Sequence, residues 1–187
     1  MGGSRPDAKE RFFWPLNDAY RSERVDSDKM RQWGLLLLQA GRTVAAMAEA
    51  GWGLEPGSLT SKMGDDAPHL LGPTGSDLTS GATVLAGRHT DLNALTVHGK
   101  SRYPGLFVEH RDGTRVPAKV PDGCLLVQAG QQLEQLTGGR VLAGFHEVLA
   151  PESVDAAALQ VCPYRVSSTV FVHCSPDASL RPLMGDA

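Results

Sequence analysis

Arg88-His89-Thr90-Asp91-Leu92-Asn93-Ala94-Leu95-Thr96-Val97 is the stretch whose reading decides the fold. Leu95 and Val97 alternate with small or polar residues, the period-two pattern of a β-strand, in which positions i and i+2 project from one face. That reading turns His89 and Asp91 the same way. An imidazole beside a carboxylate makes two thirds of the 2-His-1-carboxylate set that holds non-haem Fe(II) with coordination positions left open. Six His and thirteen Asp in 187 residues yield roughly 0.4 His-x-Asp matches by chance. The pair therefore needs support from the rest of the chain.

Downstream, the text is written in short strands. Residues 105–109, 115–120, 124–127, 141–149 and 165–172 are aliphatic or β-branched segments separated by turn signals in HRDGTR, PDG and GG. Together with 91–97 they predict a mainly β domain, and a jelly roll arranges such strands in two facing sheets with few exposed edges. Upstream, GDDAPHLLGPTGSDLTSGATVLAG (64–87) reads as turns around short strands, and GPTGSD lacks the Lys-Ser/Thr ending of a phosphate-binding loop. Residues 26–50 predict a helix. Asp26 or Ser27 can cap it, and Gly51 and Gly53 end it. Met30, Trp33, Leu37, Ala40, Val44 and Met47 recur along it at three- and four-residue steps, a stripe that reads as a prop against a sheet. Residues 1–25, with Phe12, Phe13 and Trp14, have no clear period and read either as an arm docked through those aromatics or as a loose remnant of something larger.

A composition of 41% hydrophobic and 21% charged residues is that of an ordinary globular domain. A formal charge of −3 and a pI near 6.0 predict no general basic surface, which argues against nucleic acid or an anionic membrane as partner. Small-molecule chemistry is the expectation. Cys124, Cys162 and Cys174 are odd in number and widely spaced, unlike a disulfide framework or a metal knuckle. The opening MGGSRPDAKERFF carries charges where a secretory signal would be apolar, and the longest apolar run, residues 35–38, is too short to span a bilayer. The expected compartment is the cytoplasm.

A third ligand is offered by His146, in Gly144-Phe145-His146-Glu147-Val148, late enough in the β run for intervening strands to return it beside the first pair. Further on, Arg165 and Ser167 again stand at i and i+2, on a strand whose other positions are mostly apolar. A planar guanidinium grips a carboxylate bidentately, and a neighbouring hydroxyl adds a bond to the same anion. The order His-x-Asp, distant His, Arg-x-Ser is far more specific than any of its parts.

With these pieces in place, the sequence resembles the isopenicillin N synthase-like branch of the Fe(II)- and 2-oxoglutarate-dependent oxygenases. The matching text is His89-Thr90-Asp91 with LNALTVHG, PDGCLLVQAGQQLEQLTGG ahead of His146-Glu147-Val148, and Arg165-Val166-Ser167, together spanning roughly 68 to 182. The resemblance implies a double-stranded β-helix of the jelly-roll, cupin-like kind over 68–187, with 1–67 as an N-terminal arm and supporting helix. It implies His89, Asp91 and His146 as catalytic iron ligands, and Arg165 and Ser167 as the grip on the distal carboxylate of 2-oxoglutarate. In such enzymes the cosubstrate is oxidatively decarboxylated by O2 to succinate and carbon dioxide, and a small organic substrate is oxidised, usually by hydroxylation.

The match has departures. The family's Asn-x-Tyr ahead of the first ligand is replaced by His69-Leu70-Leu71-Gly72-Pro73, and His-Arg-Val around the second histidine by His146-Glu147-Val148. Sixty-seven residues ahead of Pro68 are fewer than the family carries, which reads as an N-terminally truncated fragment, a shortened gene model or a divergent minimal form. Two alternatives stay open: a non-catalytic jelly-roll member, and an iron oxidase of the isopenicillin N synthase kind that does not use 2-oxoglutarate. Around the site, Lys100, Arg102, Arg111 and His98 are read mainly as solvated turn residues, Gln128 and Gln132 as weak candidates to face a pocket, and Cys124 as a small buried hydrophobe.

Overall fold

Ser27 starts the longest helix by accepting a hydrogen bond from the Met30 backbone N–H at 3.4 Å, so the cap is Ser27, and Asp26 lies outside the described residues. The structure, a computed structural model, describes residues 6–18 and 27–184. Helix α1 (Asp28–Gly51) buries Gly34, Leu37, Leu38, Gly41 and Ala45. Trp33 and Met47, two members of the expected stripe, are instead 38% and 68% exposed. The contact runs through small residues: a Cβ on Gly41 would stand 2.9 Å from Val172 Cγ2 and 3.1 Å from Val97 Cγ2. Close approach of the helix axis to the sheet needs glycine there, and it lets Leu37 and Leu38 enter the core while Trp33 and Met47 face away.

Among the described residues, twelve short strands carry the rest. They are β1 (Glu10–Arg11), β2 (Trp14–Pro15), β3 (Leu70–Leu71), β4 (Thr74–Asp77), β5 (Val84–His89), β6 (Leu95–His98), β7 (Leu106–Glu109), β8 (Arg115–Pro117), β9 (Leu126–Ala129), β10 (His146–Leu149), β11 (Tyr164–Ser167) and β12 (Thr169–Val172). All pairings are antiparallel. One sheet runs β5-β10-β7-β8, a second β1-β4-β11 and a third β2-β3-β12-β6-β9. The second and third share three chain passes, interrupted at residues 12–13, at Gly72-Pro73 and at Ser168, so they form one bent sheet. Pro73 cannot donate to a ladder, which marks one of those bends. Two facing sheets with one helix behind them are the jelly-roll architecture the strand pattern predicts.

The core lies between α1 and the β2-β3-β12-β6-β9 sheet, around Leu37, Leu38, Leu71, Val97, Val170 and Val172. Trp14 of the arm joins it at 5% exposure, whereas Phe12 and Phe13 stay 43% and 50% exposed. The arm thus docks through one aromatic and two strand pairings. Two short helices, α2 (Gln131–Leu136) and α3 (Ala156–Val161), were not predicted. No helix among the described residues is long and apolar enough to cross a membrane.

The strand expected over 91–97 is corrected. His89 is the last residue of β5, Asp91 lies in the turn that follows, and Leu95 and Val97 belong to β6 in the other sheet. His89 and Asp91 point together because the chain crosses between sheets there, not because one strand carries both. The 165–172 segment likewise splits at Ser168, and the 141–149 strand shortens to β10. Cys124 is exposed, contrary to expectation, because it sits in the turn between β8 and β9; Cys174 is the buried thiol, its pKa pushed up to about 11 by burial.

Candidate active site

Between the two sheets lies a cavity of about 410 Å³, lined by His89, Asp91, His146, Arg165 and Ser167 together. Antiparallel register explains the histidine pair: His146 of β10 stands directly opposite His89 of β5, so both rings project from one face, with centroids 4.3 Å apart. Asp91 reaches the same point from the crossover, its carboxylate oxygens 3.7 Å from His89 Nε2 and 3.8 Å from His146 Nε2. One ligand atom from each residue lies within 4.8 Å of the others.

Each donor is oriented by a neighbour. His89 Nδ1 lies 2.6 Å from the Gly87 carbonyl and His146 Nδ1 3.2 Å from the Gly144 carbonyl. A carbonyl only accepts, so each Nδ1 carries the proton and each Nε2 presents its lone pair to the centre. Burial lowers the His146 pKa, against the opposing pull of Asp91, and so favours that neutral, ligating form. Thr96 Oγ1 donates to Asp91 Oδ2 at 2.6 Å and itself accepts from Asn93 Nδ2 at 3.0 Å. The crossover is pinned by Gln131 N–H donating to the Asp91 carbonyl at 2.9 Å, and by Gly130, where a Cβ would stand 2.0 Å from the Asn93 carbonyl oxygen. Two neutral imidazoles and one carboxylate on one side of a cavity fit a ferrous ion with open positions.

Arg165 is 8% exposed, its Nε donating to the Pro104 carbonyl at 2.9 Å. On β11 it alternates with the exposed Tyr164 and Val166, and Ser167 shares its inward face. Ser76 and Thr74 of β4 stand opposite Arg165 and Ser167 and also line the cavity. Tyr103 closes the wall, its hydroxyl between the Ala158 and Cys162 carbonyls of the α3 segment.

Other sequence candidates separate clearly. Lys100 and Arg102 line the cavity, but Arg111 does not: it borders a different depression and its Nη2 donates to the Arg140 carbonyl. His98 stands beside His146 and donates to Gln128 Oε1 at 2.6 Å, with burial pushing its pKa down to about 4. Gln128 supports His98 rather than lining the cavity, and Gln132 accepts from the Cys174 backbone N–H. Glu147, the departure beside His146, pairs with Arg115 on the opposite face of the sheet. Arg11, Thr74, Ser76 and Thr96 were not singled out; a lone arginine and scattered hydroxyls carry no sequence pattern until the strands align them.

Fold and site together define a jelly-roll protein whose cavity brings a His-Asp-His triad beside a buried arginine. The chain belongs to the 2OG-Fe(II) oxygenase superfamily, whose family model matches residues 71–174. It is 34% identical over 104 residues to a bifunctional coumaroyl-CoA and feruloyl-CoA ortho-hydroxylase from Ipomoea batatas, covering 54% of this chain and 26% of that protein. It is 27% identical over 186 residues to a flavonol synthase/flavanone 3-hydroxylase from Eustoma exaltatum subsp. russellianum, covering 95% of this chain and 49% of that protein. The chain thus spans about a quarter to a half of the length of these curated relatives. Among solved structures, the 2-oxoglutarate complex of the dioxygenase for auxin oxidation from Arabidopsis thaliana superposes with a TM-score of 0.75 at 17% identity, over 94% of this chain and 66% of that one.

Proposed function

We propose that the protein is an Fe(II)- and 2-oxoglutarate-dependent oxygenase that hydroxylates a small organic substrate, with succinate and carbon dioxide as the other products. The observation that carries this reading is the meeting of His89, Asp91 and His146 donor atoms within 4.8 Å, in a cavity that also holds Arg165. His89 Nε2, His146 Nε2 and an Asp91 oxygen hold the metal; Thr96 and the Gly87 and Gly144 carbonyls keep those donors aimed. Arg165 and Ser167 take the distal carboxylate of 2-oxoglutarate. When bound, ferrous iron supplies the redox centre at which O2 and 2-oxoglutarate react. A cavity of about 410 Å³ suits small ligands. Residues 1–67 act as arm and supporting helix, residues 68–187 as the oxygenase core, and the cytoplasm is the compartment.

The test is anaerobic addition of Fe(II) and then 2-oxoglutarate, which is expected to produce a weak visible charge-transfer band, followed by slow succinate formation when air is admitted. His146→Ala is expected to lose metal binding. Arg165→Ala keeps the metal and weakens 2-oxoglutarate binding by roughly 2–5 kcal/mol. Iron binding with neither the band nor succinate would overturn the cosubstrate assignment, and no iron binding would overturn the whole reading.

A further inference from the structure

The three-stranded part of the bent sheet turns a polar face to the cavity, and the register puts its side chains in rows. Arg11 of β1, Thr74 of β4 and Ser167 of β11 are cross-strand neighbours, with Ser76 and Arg165 one step along. Arg11 and Ser167 therefore flank Thr74 from opposite sides, and their strands stand about 10 Å apart, two strand spacings.

Arg11 is held from three directions. Its Nε donates to Thr74 Oγ1 at 2.8 Å, and its guanidinium carbon lies 5.2 Å from the Phe171 ring centroid and 5.7 Å from that of Phe13. No described residue accepts a hydrogen bond from Nη1 or Nη2, and the side chain borders the cavity. Asp91 and His146 line the same cavity. A half-buried guanidinium, clamped by aromatic rings with its outer fork unused, is a preorganised carboxylate receptor.

On the function proposed above, both carboxylates of 2-oxoglutarate are already committed, one toward the metal and one to Arg165 with Ser167. We infer that Arg11 receives a second anion, the carboxylate of the primary substrate, so that the substrate is a small organic acid. Leu85, Leu106, Leu126, Val148 and Phe171 line the same cavity and give such an acid an apolar berth. The specificity element is thus delivered by the N-terminal arm, while the metal donors come from the β5-β6 crossover and β10.

The test rests on that function but separates from it. With the full chain loaded anaerobically with Fe(II) and 2-oxoglutarate, the charge-transfer band reports cosubstrate binding, and calorimetry reports binding of phenylacetate, hexanoate and the uncharged phenylacetamide. Phenylacetate or hexanoate is expected to bind at least tenfold more tightly than phenylacetamide. Arg11→Met is expected to erase that preference while shifting 2-oxoglutarate affinity less than threefold, and Arg11→Lys to restore part of it, with unchanged circular dichroism checking the fold. If neither acid binds, if the amide binds equally well, or if Arg11→Met weakens 2-oxoglutarate as much as the acids, the inference is overturned. Loss of the band with Arg11-dependent acid binding intact would sink the cosubstrate reading and leave the acid receptor standing.

Discussion

Thr96 is fully buried directly beneath Asp91, and its hydroxyl joins two functions by donating to Asp91 Oδ2 while accepting from Asn93. Removing that hydroxyl without changing shape isolates the orienting bond. Thr96→Val is expected to weaken Fe(II) binding by about 10- to 100-fold, the usual effect of losing a group that orients a ligand, while the fold survives at a cost of about 1–2 kcal/mol. Thr96→Ser should recover most of the affinity; an anaerobic metal titration that finds Thr96→Val equal to the parent would show that Asp91 needs no such support. At this scale the sequence was most legible where residue identity carries the chemistry: His89, Asp91, His146, Arg165 and Ser167 share the cavity. It was least legible where identity matters only through a partner. Thr96 stands inside the very stretch that decides the fold, yet nothing in its neighbours says that its hydroxyl meets Asp91 rather than water.

Between elements, Glu49 near the end of α1 organises a segment with little regular structure. Its carboxylate accepts from the backbone N–H of Gly57 at 3.2 Å, Leu59 at 2.6 Å and Thr60 at 2.5 Å, and from the Thr60 hydroxyl at 3.0 Å, thereby capping the 3-10 turn Thr60–Met63. Burial raises its pKa, but the N–H groups of Thr60, Leu59 and Gly57 outweigh burial and hold it below the ordinary carboxylate range. A depressed folded pKa means stability that is fully present above the unfolded value of about 4.3 and is lost as pH falls through the folded value. Glu49→Gln is therefore expected to cost about 2 kcal/mol at pH 7, with the gap to the parent narrowing below about pH 4. Urea midpoints at pH 7 and pH 3.5 check both halves, and a gap independent of pH would mean that the charge plays no part. Helix α1 begins within two residues of where the sequence predicts it, and Met30, Leu37 and Val44 of the expected stripe do reach the core, but Trp33 and Met47 do not, because a stripe chosen by apolar size overlooks the close contact made by Gly34, Gly41 and Ala45. The crossing from β5 to β6 was equally hidden: alternation in Leu95-Thr96-Val97 marks a strand but not which sheet it joins.

Over the whole molecule, charge is distributed against its own average. The chain carries a formal −3, yet the cavity is lined by Lys9, Arg11, Lys100, Arg102, Lys119 and Arg165 with Asp91 as the opposing carboxylate. Lys9 pairs with Asp7 and Lys100 with Asp122, while Arg102 and Lys119 have no ion pair among the described residues. Composition could not foresee this, since the cations come from separate stretches of the chain that only the sheets bring together. A concave basic site with low-dielectric walls focuses its potential on entering anions, which raises the association rate more than it slows release. Raising ionic strength from about 0.05 to 0.5 M shortens the screening length from roughly 14 to 4 Å. Stopped-flow binding of 2-oxoglutarate to the Fe(II)-loaded protein is then expected to slow several-fold in association with little change in dissociation, because the contacts proposed for buried Arg165 would be screened less than the approach. Replacing Arg102 and Lys119 together by Gln should flatten that salt dependence and leave dissociation near the parent rate. Association equally fast at both salt concentrations would show that the lining cations act only at contact, or that their field is cancelled before it reaches the mouth of the cavity.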